Sequence, residues 1–228
     1  MAEPMLALGV DTCGPSGSVT LGRLDGGSVT ILGQTELAGR SYSATLVAAV
    51  GDLLAHAGVA LKDVGAMVAV HGPGSFTGVR VGLSAVKGLA EPAGIPVVAV
   101  SRLAVLASLC DCVASALDAH RGEVFLRLSE PDGKARELLA GWAELAAVAR
   151  PGQVAVCDEA AAALLVAAWP GVDLARLPAS TAADALRLAA PRILAGEFVD
   201  LALLDGHYLR RSDAEIFGEP AAAGTRHA

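Results

Sequence analysis

The order of apolar and polar residues predicts strands first, and then alternating helices and strands, in the first half of the chain. Met5–Val10 is an apolar run that ends at Asp11, and Ser18–Leu24 alternates up to the turn sequence Asp-Gly-Gly. In Tyr42–Ala57 the apolar residues change to helical spacing. The other predicted elements are strands at Ser28–Leu37, Ala66–Val70 and Pro96–Val100, a helix at Thr77–Glu91, and a helix that Ser101 caps and that ends near Leu109.

The second half partly repeats this order. Cys112–Leu117 is predicted as a strand that ends at Asp118, and Glu123–Leu128 alternates as its hairpin partner. The elements that follow are helices at Trp142–Ala149, Glu159–Ala168 and Ala182–Leu194 and a strand at Gln153–Cys157. This repetition predicts a duplicated α/β fold with mixed sheets flanked by helices. We expect an N-terminal subdomain over residues 1–108, a C-terminal subdomain over 109–217 and a disordered tail over 218–228.

Composition and charge exclude several classes of protein. Of the residues, 54% are hydrophobic and 4% aromatic, which excludes a disordered chain and argues against a protein that stacks bases on exposed rings. The net charge of −7 disfavours direct binding of nucleic acid. No apolar run approaches the roughly 18–20 residues of a membrane span, and the start lacks a basic signal region, so we expect a cytoplasmic protein. The four cysteines form no zinc or redox motif, and we expect reduced thiols.

The most informative stretch is the glycine-rich segment from His71 to Gly82, which follows a buried strand and opens a helix. It lacks the Gly-Lys-Ser/Thr ending of a P-loop and the spacing of a nucleophile elbow. Two interpretations remain open: a phosphate cradle, or a tight turn in which Ser75 or Thr77 caps the helix. Arg80 is a possible anion contact or a solvated charge. The candidate anion-binding residues here are Gly72, Pro73, Gly74, Ser75, Phe76, Thr77, Gly78 and Arg80.

Two carboxylates stand at corresponding strand ends. Asp11 ends the first strand of the first half, and Asp118 ends that of the second. Together they could bind a phosphate or a metal across a cleft, or each could cap its own turn. The five histidines form no metal-binding pair, and no catalytic triad is evident from the spacing. The sequence therefore predicts no catalytic residue and no metal site of its own.

The helix predicted at Thr77–Glu91 carries two apolar stripes instead of one. A second stripe implies burial on two sides, either inside the chain or against a partner protein. The first stripe consists of Val79, Leu83, Val86 and Ala90, and the second of Val81, Ala85 and Leu89.

The run Gly72–Gly82 closely resembles the motif of the TsaB (YeaZ) family, bacterial proteins of tRNA threonylcarbamoyladenosine synthesis. Leu6–Thr12 resembles the opening strand of that family. Asp118–Phe125 resembles its D-A-R-x-G-E-V-Y segment, and Tyr208–Arg210 its Y-L-R near the C-terminus. These segments occur in the right order over most of the chain.

The resemblance implies an actin-like ATPase (ribonuclease H-like) fold and a non-catalytic subunit that pairs with the catalytic protein TsaD and works with the ATPase TsaE. It implies that ATP, ADP and metal belong to the partner subunits, that tRNA is reached only through the complex, and that a homodimer forms in their absence. Tyr42 lies where members commonly carry a histidine. The alternatives are a nucleotide-hydrolysing enzyme that uses Asp11 and Asp118, and a glycoprotease-like peptidase that depends on Ser75.

The resemblance also implies a pairing surface built from the first two helices. We expect their apolar stripes to supply the contacts. The predicted interface residues are Leu46, Val50, Leu53, Leu54, Val79, Leu83, Val86 and Ala90.

Overall fold

The first half of the chain forms a five-stranded mixed sheet. The computed structural model describes residues 4–39, 41–130, 134–149 and 151–210, so the predicted disordered tail lies outside the described residues. The strands are β1 (Met5–Asp11), β2 (Ser16–Asp25), β3 (Ser28–Ala38), β4 (Val64–Val70) and β5 (Val97–Val100). Their order across the sheet is β3-β2-β1-β4-β5, in which β1, β2 and β3 are antiparallel and β1, β4 and β5 are parallel.

The second half repeats this topology. Its strands are β6 (Ala114–Asp118), β7 (Val124–Ser129), β8 (Ala135–Ala140), β9 (Gln153–Val156) and β10 (Asp173–Arg176). Their order is β10-β9-β6-β7-β8, again with an antiparallel meander on one side and parallel strands on the other. The duplicated α/β fold is confirmed. Strands β8 and β10 were not predicted, because neither short segment shows a clear alternation of apolar residues.

Helices cover both faces of each sheet. They are α1 (Tyr42–His56), α2 (Phe76–Ala93), α3 (Arg102–Ser108), α4 (Trp142–Ala147), α5 (Glu159–Ala168) and α6 (Ala182–Leu194). A Cβ added at Gly33 would meet Leu53 of α1, whereas one added at Gly22 would meet Leu186 of α6. Leu21 pairs with Gly33 and directly precedes Gly22, so α1 and α6 lie on opposite faces of the first sheet. Among the described residues, no helix is long and apolar enough to span a membrane.

The hydrophobic cores do not follow the predicted boundary near residue 108. Helix α6 comes from the second half of the sequence, yet Leu186 and Ile193 pack in the core of the first sheet. Helix α3 precedes the boundary, yet Leu103 and Leu106 pack with the second sheet. The two halves therefore exchange one helix each, and a cut near residue 108 would expose apolar surface on both sides.

The expectation of four reduced thiols is wrong for one pair. Cys110 and Cys112 form a disulfide across Asp111, whose positive φ of 51° folds the backbone so that the two side chains meet. Cys13 and Cys157 are free, the first buried and the second partly buried.

Candidate functional site

The glycine-rich segment packs against the connection between β1 and β2. The Ser75 amide donates to the Cys13 carbonyl at 2.8 Å, and the Thr12 hydroxyl donates to the Gly78 carbonyl at 2.7 Å. The Ser75 hydroxyl accepts the Gly78 amide at 3.2 Å and thereby caps α2. Ser75, not Thr77, is the N-cap, and its hydroxyl already serves the helix start.

Glycine is required where this segment touches the β1–β2 connection. A Cβ at Gly74 would lie 2.2 Å from the Cys13 carbonyl oxygen, and one at Gly78 would lie 2.1 Å from the Thr12 carbonyl oxygen. The turn is therefore in backbone contact with its own chain at the place where a phosphate cradle would need open space. The geometry favours the tight turn. Gly72 and Pro73 are buried beside it, whereas Thr77 is exposed.

Arg80 lies on the exposed side of α2, where its guanidinium group contacts two aromatic rings. Its guanidinium carbon lies 3.8 Å from the centre of the Phe76 ring and 5.9 Å from that of Tyr208. The two rings are 4.8 Å apart, and Arg80 Nε donates to the Tyr208 hydroxyl at 3.4 Å. Such cation–π contacts orient the guanidinium. Arg80 thus fastens the segment around Tyr208 to α2.

The two strand-end aspartates each cap their own turn. Asp11 is buried, and its Oδ1 accepts the Cys13 amide at 2.8 Å. Asp118 Oδ1 accepts the His120 amide at 2.8 Å, and its Oδ2 lies 2.8 Å from the ring of the same histidine. Burial raises the pKa of Asp11, although the positive charge of Arg102 opposes the rise. Within the described ranges, no group of His, Cys, Asp or Glu residues is arranged to hold a metal ion.

The eight predicted interface residues are buried inside this chain and do not lie on its surface. All eight have at most 8% of their area exposed, because the apolar stripe of α1 and the first stripe of α2 point into the core of the first sheet or against the neighbouring helix. A charge introduced at Leu53 or Leu83 would therefore destabilise the folded chain. The residues concerned are Leu46, Val50, Leu53, Leu54, Val79, Leu83, Val86 and Ala90.

The outer face of α1 is lined by small side chains instead. Val47 is the largest, with 57% of its area exposed. Nothing lies within 4 Å of a Cβ added at Gly51 on this face, or at Gly88 on the exposed side of the adjoining α2. We call this surface the α1 outer face; its residues are Ala44, Val47, Ala48, Gly51 and Ala55. The spacing of these residues by three and four is visible in the sequence. The stripe of larger Leu and Val residues beside it, however, was the stronger indication of an apolar contact surface.

A cluster of polar side chains joins the C-terminal segment to both halves of the molecule. The His207 amide donates to the His71 carbonyl at 2.7 Å, and the two imidazole rings are 5.4 Å apart. His207 Nε2 lies 2.9 Å from Glu137 Oε2, on β8. The Ser101 hydroxyl also donates to Glu137, at 2.7 Å, and Arg127 donates to it at 2.6 Å. We call these five residues the Glu137 cluster. Sequence reasoning missed it because its members are far apart along the chain.

We expect the stability of the chain to fall as the pH drops below about 6.5. Burial lowers the pKa of His71 from its usual 6.5, and the neighbouring His207 lowers it further. Below pH 6.5 the unfolded chain binds a proton at this histidine that the folded chain does not bind. The contribution of neutral His71 to stability is therefore complete above pH 6.5 and is lost below it. Urea unfolding of the wild type and of His71→Gln between pH 5 and 7 checks this. The prediction is contradicted if the free energy of unfolding depends on pH in His71→Gln as steeply as in the wild type. His56→Gln, at an exposed histidine, is the control.

Comparisons with known proteins place this geometry in a family. The family model "TsaD: tRNA N6-adenosine threonylcarbamoyltransferase" matches residues 32–172. The tRNA threonylcarbamoyladenosine biosynthesis protein TsaB of Escherichia coli is 36% identical over 127 residues, which cover 53% of each chain. The structure of YeaZ from Pseudomonas aeruginosa is 30% identical, with a TM-score of 0.72, and the match covers 90% of this chain and 100% of that one. The chain belongs to the TsaB/YeaZ family.

The shared region differs between the TsaB relatives. The chain spans about half the length of the E. coli protein and 41% of the TsaB of Haemophilus influenzae, where it is 38% identical over 96 residues. The structural match to YeaZ extends over the whole of that chain and includes both sheets. The actin-like, two-sheet fold predicted from the TsaB motifs is confirmed.

Tyr42, where members of the TsaB family commonly carry a histidine, has a structural role in this chain. It is buried, and its hydroxyl donates to the Gly14 carbonyl at 2.9 Å. Burial raises the pKa of Tyr42 to about 12, with a further contribution from the charge of Asp11. The first residue of α1 therefore holds the β1–β2 turn in place and is not available to a partner.

Proposed function

We propose that this chain is a non-catalytic subunit in tRNA threonylcarbamoyladenosine biosynthesis that pairs with a TsaD-like protein through the α1 outer face. The TsaB relatives carry that pathway in their names. The chain is also 34% identical over 119 residues to the tRNA N6-adenosine threonylcarbamoyltransferase of Maricaulis maris, which supports a common origin with the proposed partner. A symmetric dimer pairs the same surface patch of its two subunits, and two related folds can pair in a similar way through corresponding helices.

The observation that carries the proposal is the small-residue surface of α1 beside α2. Small residues such as Ala and Gly let the axes of two packed helices approach to about 8 Å, the lower end of the usual range of interaxial distances. A solvated helix face normally carries charged and polar residues, but apart from the buried Tyr42 the only ionisable side chains on α1 are Asp52 and His56. The core of the first sheet supports the helix from beneath through Leu46 and Val50, so it can present a rigid surface.

Catalysis falls to the partner in this proposal. Asp11 and Asp118, the residues on which a nucleotide-hydrolysing alternative depends, are each committed to a turn. The Ser75 hydroxyl, on which a peptidase alternative depends, caps α2. ATP, ADP and metal would then bind to TsaD-like and TsaE-like subunits, and the net charge of −7 supports contact with tRNA only through the complex. Without a partner, the same face would form a homodimer.

Ala48→Arg is expected to weaken pairing with a TsaD-like protein by roughly 30-fold or more, the size of a hot-spot loss. The arginine would place a long, charged side chain where close helix approach needs a methyl group. Co-elution on size exclusion and calorimetric titration measure the effect, together with a threonylcarbamoyl-transfer assay. Ala163→Arg, at an exposed alanine on α5, is the matched control. Normal co-elution of folded Ala48→Arg would refute the proposed face.

A further inference from the structure

A buried arginine whose Nε has no hydrogen-bond partner lies between the two halves of the molecule. Arg102, the first residue of α3, has only 8% of its area exposed. Its Nε is buried and has no hydrogen-bond partner. Among the residues that the structure describes, no carboxylate lies within ion-pair distance of this guanidinium. The backbone amide of the same residue is fixed by a 2.7 Å hydrogen bond to the Gly72 carbonyl.

Groups from both sheets surround this guanidinium. A Cβ added at Gly14, in the β1–β2 turn, would lie 2.7 Å from Arg102 Nη2. The charge of Arg102 opposes the rise in pKa that burial causes for Asp11 on β1 and for Cys157 at the end of β9. Arg102 thus lies at the carboxyl ends of the parallel strands of both sheets, where ligands bind in open α/β folds.

A buried guanidinium in this position needs a negative charge beside it. Arginine does not lose its proton in proteins, so burial cannot be relieved by neutralisation. An unpaired buried charge is strongly destabilising. Among the described residues, Asp11 is the one carboxylate whose pKa the charge of Arg102 lowers, but it is buried, engaged with the Cys13 amide and not in contact with the guanidinium.

We propose that Arg102 binds a small inorganic oxyanion, of the size and charge of phosphate, beside the β1–β2 turn and the end of β9. The planar guanidinium matches two oxygens of such an anion, which makes it the preferred phosphate-binding side chain. The small exposed fraction of Arg102 and the close Gly14 backbone favour an inorganic ion over a nucleotide. The proposal is independent of the pairing surface on α1.

The test uses the full chain at constant ionic strength, with sodium phosphate replacing sodium chloride. Phosphate should raise the melting temperature of the wild type progressively, as a ligand of the folded state does, and calorimetry should give a saturable binding isotherm. Arg102→Met should lose this response while melting in chloride at the same temperature as the wild type or higher, because it removes the unpaired charge. Arg102→Lys keeps the charge but lacks the planar group, and should bind phosphate at least tenfold more weakly by calorimetry.

Arg23→Gln is the matched control, since it removes one exposed positive charge on β2 and should respond to phosphate like the wild type. Absence of saturable phosphate binding to the wild type by calorimetry overturns the proposal. Wild-type affinity in Arg102→Lys overturns it as well, and this variant decides the matter if Arg102→Met does not fold. Saturable binding of ATP without binding of phosphate would also overturn it.

Discussion

Replacement of Gly78 by alanine is expected to lower the free energy of unfolding by about 3 kcal/mol, the upper part of the usual range for overpacking. The added methyl group would lie 2.1 Å from the Thr12 carbonyl oxygen, a backbone atom that cannot rotate away. Helix α2 would have to move off the β1–β2 connection. That movement would break the hydrogen bonds from the Thr12 hydroxyl to the Gly78 carbonyl and from the Ser75 amide to the Cys13 carbonyl.

The same substitution further along α2 should have the opposite effect. Nothing lies within 4 Å of a Cβ added at Gly88, and alanine is favoured over glycine inside a helix by about 1 kcal/mol. Gly88→Ala is therefore expected to raise stability by that amount. Urea unfolding followed by circular dichroism compares the two variants. Equal stabilities would mean that the close approach at Thr12 does not constrain the motif.

This pair of glycines shows how far the sequence could predict the site. The motif itself was visible, and so was its place between a buried strand and a helix. The reason for the glycine at position 78 could not be predicted, because the contact that requires Gly78 is with Thr12, 66 residues earlier. The local spacing of residues predicts where the helix begins and which residue caps it. It does not predict which segment, distant in the sequence, packs against the start of the helix.

The helices and most strands could be predicted from apolar periodicity, because a long amphipathic segment can bury all its apolar residues in only one type of secondary structure. Periodicity alone did not show which side of α1 is left exposed. Its largest apolar residues are buried by the chain's own sheet, and the outer face is defined by small residues such as Ala48. The exchange of α3 and α6 between the two cores was also out of reach, since it depends on how the chain crosses between sheets.

Removal of the charge at Glu137 is expected to cost about 3 kcal/mol, the lower end of the range for breaking a buried ion pair. The side chain is 7% exposed and is bound by Arg127, Ser101 and His207. In Glu137→Gln the amide cannot accept from all three groups and leaves Arg127 without a charged partner. The segment around His207 would then lose a main contact with the second sheet. Glu36→Gln, at an exposed position on β3, should stay within about 0.5 kcal/mol of the wild type.

The acid dependence of stability provides an independent check on this carboxylate. Burial alone would raise the pKa of Glu137, but the hydrogen bonds from His207, Ser101 and Arg127 outweigh it and lower the pKa below its usual 4.5. The stabilisation is therefore present above pH 4.5 and is lost as the pH falls through the lowered value. Glu137→Gln should be less sensitive to acid than the wild type in that range. An equally steep loss in Glu137→Gln would show that other carboxylates, and not this cluster, control acid unfolding.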